Sequence, residues 1–151
     1  MHPIKITISF FSAIENYDFK KVENYLANEF VFTGAFNEIL DKPTFIAVHT
    51  IVADLLTRLQ YNLSELYVDD ETIKGIIKLS GWYTTPIKCD ALTQNPDSIF
   101  ENSFHINLTE EKVELSISNN KITELKISSI SKGNIEQLIM QLGLKRMVVQ
   151  G

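Results

Sequence analysis

Between Pro43 and Gln60 the apolar residues recur at helical spacing: Phe45, Val48, His49, Val52, Leu55, Leu56 and Leu59 fall within an arc of roughly 120°, and Ala47, Thr50, Asp54 and Arg58 take the other side. The pattern predicts one long helix over these residues, with Asp41 as its cap and Pro43 in its first turn. Two shorter helical patterns precede it. Residues 4–16 carry both a strand alternation (Ile4, Ile6, Ile8, Phe10) and a helical face (Ile4, Ile8, Phe11, Ile14). The run from Phe10 to Glu15 breaks the alternation, which favours helix. The β-branched residues make this a helix that tertiary packing must hold. Asp18 is an N-cap for the next helix, whose face is Phe19, Val22 and Leu26 and whose end is set at Asn28-Glu29. Phe30 to Thr33 reads as a short strand stopped by Gly34, and Ala35 to Leu40 as a loop.

From Tyr61 to about Ile130 nearly all of the pattern is strand. Tyr61 to Val68 turns at Asp69-Asp70 into a strand from Ile73 to about Thr85, and Pro86 to Pro96 is irregular. Ile99 to Leu108 alternates, and Val113 to Ser118 resumes after the polar run Thr109-Glu110-Glu111-Lys112. Asn119-Asn120 tolerates positive φ and predicts a tight hairpin into Lys121 to Ile130. A short C-terminal helix, Asn134 to Leu142, ends at Gly143. Helices followed by antiparallel strands predict an α+β fold, with a strongly curved, mainly antiparallel sheet wrapped on the long helix and a pocket at its open end.

At 151 residues the chain is expected to form one domain, 1–151, with a substantial core. The net charge of -5 argues against nucleic acid as a partner. The 14 Lys and Arg are scattered, and the nearest thing to a cluster, Lys145-Arg146, suits a helix end. No apolar run approaches the ~20 residues of a membrane span, and the start of the chain has no signal-peptide pattern, so the expected setting is cytoplasmic, without a membrane. Cys89 is the only cysteine, which excludes an intrachain disulfide and CxxC chemistry. His2, His49 and His105 show no metal-ligand spacing, and there is no phosphate loop, nucleophile elbow or dinucleotide fingerprint. No metal and no cofactor are expected.

Tyr17-Asp18-Phe19 through Leu26, then Phe30-Val31-Phe32-Thr33-Gly34, the Lys42-Pro43 helix entry, Ser118-Asn119-Asn120-Lys121-Ile122 and Gln141-Leu142-Gly143-Leu144 together resemble the nuclear transport factor 2-like superfamily, in its SnoaL-like branch. The order of elements carries the likeness more than any one motif. The resemblance implies a cone-shaped α+β barrel, three N-terminal helices packed in a bent sheet around an apolar cavity, and frequent homodimers. It also brings a range of functions, from ketosteroid isomerase, scytalone dehydratase, epoxide hydrolases and polyketide cyclases to members without catalysis. In the isomerase a tyrosine on the first helix and an aspartate ending the first strand do the work. Here those positions hold Phe10, which has no donor, and Thr33, which is no base near neutral pH. The hydrolase pattern, an arginine between two aspartates on strands, has no match either.

His49 is then the polar candidate, either aimed into the cavity as acid, base or ligand donor, or held in the core by a backbone carbonyl or a neighbouring side chain. Its expected companions around a small apolar ligand are Phe10, Phe32, Val52, Leu56, Leu79 and Tyr83. His105 falls on the outward side of its strand. Trp82 also falls on the outer face, where it marks a sheet-mediated homodimer or a ring covered by the 86–98 loop. Asp41, Asp90 and Glu101 show no spacing that implies a shared proton. The expected function is binding of a small apolar molecule with no recognisable acid/base set. The alternatives are a lyase, isomerase or cyclase using His49, and a non-catalytic dimeric module.

Overall fold

The computed structural model describes residues 2–86 and 101–128. Helix α1 (Pro3–Glu15) is capped by the His2 side chain, which accepts from the Ile4 N–H, and it buries Ile6, Phe10, Phe11 and Ile14. Helix α2 (Phe19–Tyr25) begins at Asp18, whose carboxylate accepts from the Lys21 N–H. It ends three residues before the expected stop at Asn28-Glu29. The backbone from Leu26 onward is taken by strand β1 (Leu26–Thr33), and the Lys42 and Lys121 ammonium groups donate to the Leu26 and Asn24 carbonyls at the junction. After the two-residue strand β2 (Leu40–Asp41) comes helix α3 (Lys42–Leu55), started by the Asp41 carboxylate accepting from the Thr44 N–H. Hydrogen bonding from Thr44, from its side chain first and its backbone N–H second, holds the exposed Asp41 carboxyl below its usual range.

The long helix stops five residues short of Gln60. Leu56–Gln60 is strand β3, paired antiparallel with β6 (Ser80–Pro86), and Arg58 adopts φ +54°, a conformation no helix interior allows. The register slips between Thr57 and Gln60, so Leu56 and Leu59, three apart, both stay buried. Side chains from the α1–α2 junction capture the ends of this strand. The Tyr17 hydroxyl donates to the Leu56 carbonyl at 2.9 Å, and the Tyr61 N–H donates to Glu15 Oε2 at 2.7 Å.

The expected strand Tyr61–Val68 begins later, as β4 (Ser64–Asp69), and the expected strand Ile73–Thr85 is two strands. β5 (Thr72–Ile77) and β6 are separated at Lys78-Leu79, where the Lys78 N–H donates to the Tyr61 carbonyl and the Leu79 carbonyl accepts from the Leu108 N–H. β7 (Glu101–Asn107) pairs with β6, and β8 (Glu111–Ser118) starts two residues before the expected Val113, inside the polar run Thr109–Lys112. β9 (Lys121–Ser128) follows the Asn119-Asn120 hairpin, whose residues have φ +53° and +62° as expected. The described strands form a six-stranded sheet, β2-β1-β9-β8-β5-β4, and a three-stranded sheet, β3-β6-β7. Among the described strands only the β1–β9 pair is parallel. The described residues are therefore α+β, three helices on a mixed sheet, and their strands divide into two sheets rather than closing one barrel. Asn134–Leu142, Gly143, Lys145-Arg146, Cys89, Asp90 and the 86–98 loop lie outside the described residues, apart from Pro86 at the end of β6.

One face of the large sheet meets the helices. In register across it lie Phe32, Leu125, Leu115 and Ile73, and the next inward row along the strands holds Ile127, Val113 and Gly75. Gly34, just past β1, has φ +93°, and a Cβ there would sit 1.8 Å from the Ile127 carbonyl oxygen. Only glycine allows β1 to leave the sheet this close to β9.

Candidate functional site

The interior between α1, α3 and the large sheet is an aromatic cluster centred on Phe45. Its ring stands 5.1 Å from Phe30, 5.0 Å from Phe32 and 6.2 Å from Phe10, centroid to centroid. One turn along α3, the His49 imidazole stacks on Phe45 at 4.0 Å and meets the edge of Phe32 at 5.9 Å. His49 is 2 % exposed, and its Nδ1 lies 2.9 Å from the Phe45 carbonyl oxygen. A carbonyl only accepts, so Nδ1 carries the proton and the lone pair is on Nε2. Burial pushes the imidazole down to about 4, against a smaller opposing effect of the Phe45 hydrogen bond. His49 is accordingly neutral near pH 7.

Phe10, Phe32, Val52, Leu56 and Leu79 are all buried in the same core as His49. Tyr83 is in register with Leu56 on one side and Phe104 on the other, and its side chain lies outside the described part of the structure. Thr33 is not on this face. Strand alternation sends Phe32 inward and Thr33 to the opposite side, in register with Lys126, where its hydroxyl is buried without a hydrogen-bond partner. Glu101 begins β7, and its side chain is likewise outside the described part.

Trp82 and His105 face each other across β6 and β7 with ring centroids 4.9 Å apart. Trp82 is 39 % exposed, and His105 is exposed beside it. Thr57 completes the row, its hydroxyl donating to the Trp82 carbonyl at 3.3 Å.

Sequence reasoning missed Glu111. It is 4 % exposed and, with Thr7 and His49, one of three buried polar side chains among the described residues. It pairs with Ile77 and shares the inward phase of Val113 and Leu115. The alternation Glu111, Val113, Leu115 was the available signal, hidden by the polar neighbours Glu110 and Lys112.

Three hollows of about 340, 350 and 350 Å³ are lined by described residues, and none includes His49. The first lies on the outer face of the large sheet, where Lys74, Glu114 and Lys112 mix charges and Lys74 is paired with Asp69 at 2.7 Å. Among the described residues no group of His, Cys, Asp and Glu is arranged to hold a metal, and no helix is long and apolar enough to cross a membrane.

No family model matches the sequence, and no curated protein does. Comparison of the fold is informative. A candidate SnoaL-like polyketide cyclase from Shewanella putrefaciens superposes with a TM-score of 0.65 at 13% identity, over 93% of this chain and 100% of its own. One from Shewanella denitrificans gives 0.64 at 14% identity, over 93% and 100%. An LEH-like epoxide hydrolase from M. tuberculosis gives 0.63 at 11% identity, over 98% and 96%. The chain has the nuclear transport factor 2-like fold. Within that fold its neighbours include SnoaL-like proteins, in agreement with the sequence resemblance. Identities this low carry the nuclear transport factor 2-like architecture and leave the chemistry to the residues of this chain.

Proposed function

We propose that the protein binds a small apolar or amphipathic molecule in a cone-shaped interior, with His49, Val52 and Leu56 on the α3–β3 side, Phe32, Leu79 and Tyr83 on the sheets, and Phe10 at the base. The supporting observation is the state of His49. Its Nδ1 is satisfied by the Phe45 carbonyl, so Nε2 is a fixed hydrogen-bond acceptor set among apolar walls. A few oriented polar atoms in an apolar surround are what small-molecule sites use for specificity. Structures of the same fold are named as an epoxide hydrolase and as candidate polyketide cyclases.

A lyase, isomerase or cyclase reaction through His49 is the alternative within this site. An imidazole pushed down to about 4 is a weak base at pH 7, which favours binding over catalysis. The test is calorimetric titration with ethylbenzene, an apolar probe without polar groups, and with 2-phenylethanol, which adds one donor. Submillimolar binding of both is expected, with 2-phenylethanol weakened about tenfold or less in His49→Ala. No binding of either probe overturns the reading. Unchanged 2-phenylethanol affinity in His49→Ala removes His49 from it.

Trp82 supports a second reading, a homodimer through the outer face of the three-stranded sheet, because a large exposed ring lying against an exposed His105 is a patch of the kind that partners cover. Light scattering after size exclusion is expected to give a dimer for the wild type and a monomer for Trp82→Glu. A dimer in both, or a monomeric wild type, contradicts it.

A further inference from the structure

The interior beside His49 is closed by packed side chains, since His49, Val52, Leu56 and Leu59 are all buried. A molecule reaches the imidazole only if one wall moves. Most of the walls are held firmly: β8 is paired with β5 on one side and with β9 on the other, and α1 and α3 are joined through the stacked rings of Phe10 and Phe45. β3 is held differently. Among the described strands it is the outer strand of the small sheet, its register with β6 slips between Thr57 and Gln60, and Arg58 within it has φ +54°. Its backbone also has a second arrangement at hand. The Leu56 N–H still donates to the Val52 carbonyl as a helical residue does, and Leu55, Leu56 and Leu59 continue the apolar face of α3. One further helical turn would give the Leu56 carbonyl to the Gln60 N–H. In the strand arrangement that carbonyl accepts the Tyr17 hydroxyl at 2.9 Å.

Tyr17 is placed for this contact by a turn that glycine makes more easily. The Asp18 N–H donates to the Ala13 carbonyl and the Tyr17 N–H to the Ile14 carbonyl, the paired bonds that close a helix through a left-handed residue. Tyr17 is that residue, with φ +59°. A side chain is sterically disfavoured there, and this one reaches from the end of α1 to the junction of α3 and β3. Two residues earlier on the same turn, Glu15 Oε2 accepts from the Tyr61 N–H at 2.7 Å, so one turn grips β3 at both ends. We propose that β3 is the gate of the interior site and that the Tyr17 hydroxyl is its latch. Release of the Leu56 carbonyl lets Leu56–Gln60 part from β6 toward a helical extension of α3, which opens the wall beside Val52 and His49. The gate rests on the reading of the interior as a ligand site.

Substitutions at two exposed positions move the balance in opposite directions. Tyr17→Phe removes the hydroxyl and keeps the ring, whereas Arg58→Gly relieves the left-handed residue of the strand and disfavours the helix. Native-state hydrogen exchange is read at the β3 amides, with those of β5 and β8 as reference, and the association rate of 2-phenylethanol is read from NMR line shapes on the same full-length variants. Tyr17→Phe is expected to speed β3 exchange about fivefold over the reference amides and to speed association by a similar factor. Arg58→Gly is expected to slow both about fivefold. Exchange of β3 unaltered in Tyr17→Phe, or raised equally in β5 and β8, overturns the latch. Exchange of β3 that is equal or faster in Arg58→Gly overturns the strand–helix balance, and this variant decides alone if Tyr17→Phe does not fold. Exchange that moves as expected while association stays at the wild-type rate overturns the gate and leaves the ligand site standing. No binding of 2-phenylethanol to the wild type overturns the ligand site and the gate with it, and the exchange rates still decide whether Tyr17 holds β3.

Discussion

The His49 Nδ1 atom lies 2.9 Å from the carbonyl oxygen of Phe45, one turn earlier on α3, and the two rings stack with centroids 4.0 Å apart. The hydrogen bond fixes the tautomer, and burial of the ring keeps it uncharged against the smaller opposing pull of that bond.

That relationship makes stability depend on pH. The unfolded imidazole titrates near its ordinary 6.5 and the folded one near 4. As pH falls below 6.5 the unfolded chain gains a proton that the folded chain does not, so stability is complete above 6.5 and declines through the window down to 4. The total loss from this residue is about 3 kcal/mol. Urea midpoints measured from pH 7.5 to 4.5 are expected to fall more steeply for the wild type than for His49→Gln. Parallel slopes would show that His49 is not buried neutral.

Gly34 and Gly81 are expected to respond oppositely to alanine. At Gly34 φ is +93° and the added Cβ would lie 1.8 Å from the Ile127 carbonyl oxygen, whereas at Gly81 its nearest neighbour is the Leu56 Cβ at 3.5 Å, ordinary contact. Gly34→Ala should cost more than about 3 kcal/mol or prevent folding, and Gly81→Ala should cost less than about 1 kcal/mol. Thermal unfolding of the two variants checks this, and similar melting temperatures would contradict the close approach of β1 to β9.

Arg58 distinguishes the strand from the helix its sequence suggests. With φ at +54°, Arg58→Gly relieves a left-handed conformation and is expected to leave stability unchanged or raise it by up to about 1 kcal/mol. In a continuing helix the same change would lower stability by about 1 kcal/mol. The sign of the shift in denaturant midpoint decides.

The 56–60 segment also shows why part of the fold was hidden in the sequence. Helical periodicity found α1, α2 and most of α3 because their apolar faces repeat over several turns, and Asp18 and Asp41 marked two starts as caps. Leu56 and Leu59 satisfy helical spacing and bulged-strand spacing equally well. What selects the strand is pairing with β6 and the hydrogen bonds from Tyr17 and to Glu15, all distant along the chain. The break at Lys78-Leu79 is equally non-local, since Ile73, Ile77 and Leu79 read as parts of one apolar strand run. At the candidate site, His49 was legible from its place on a helix face. Glu111 was not, because its burial follows from register with Ile77 while its neighbours are charged.

The central claim is that a small molecule enters the interior beside His49, and methyl-resolved NMR during titration with 2-phenylethanol tests it most directly. The account predicts saturable shifts in the methyl signals of Val52, Leu56 and Leu79 together with the His49 ring protons, with Val68 on the edge strand unmoved. Shifts confined to exposed methyls such as Val68 and Ile8, or none at all, would contradict it.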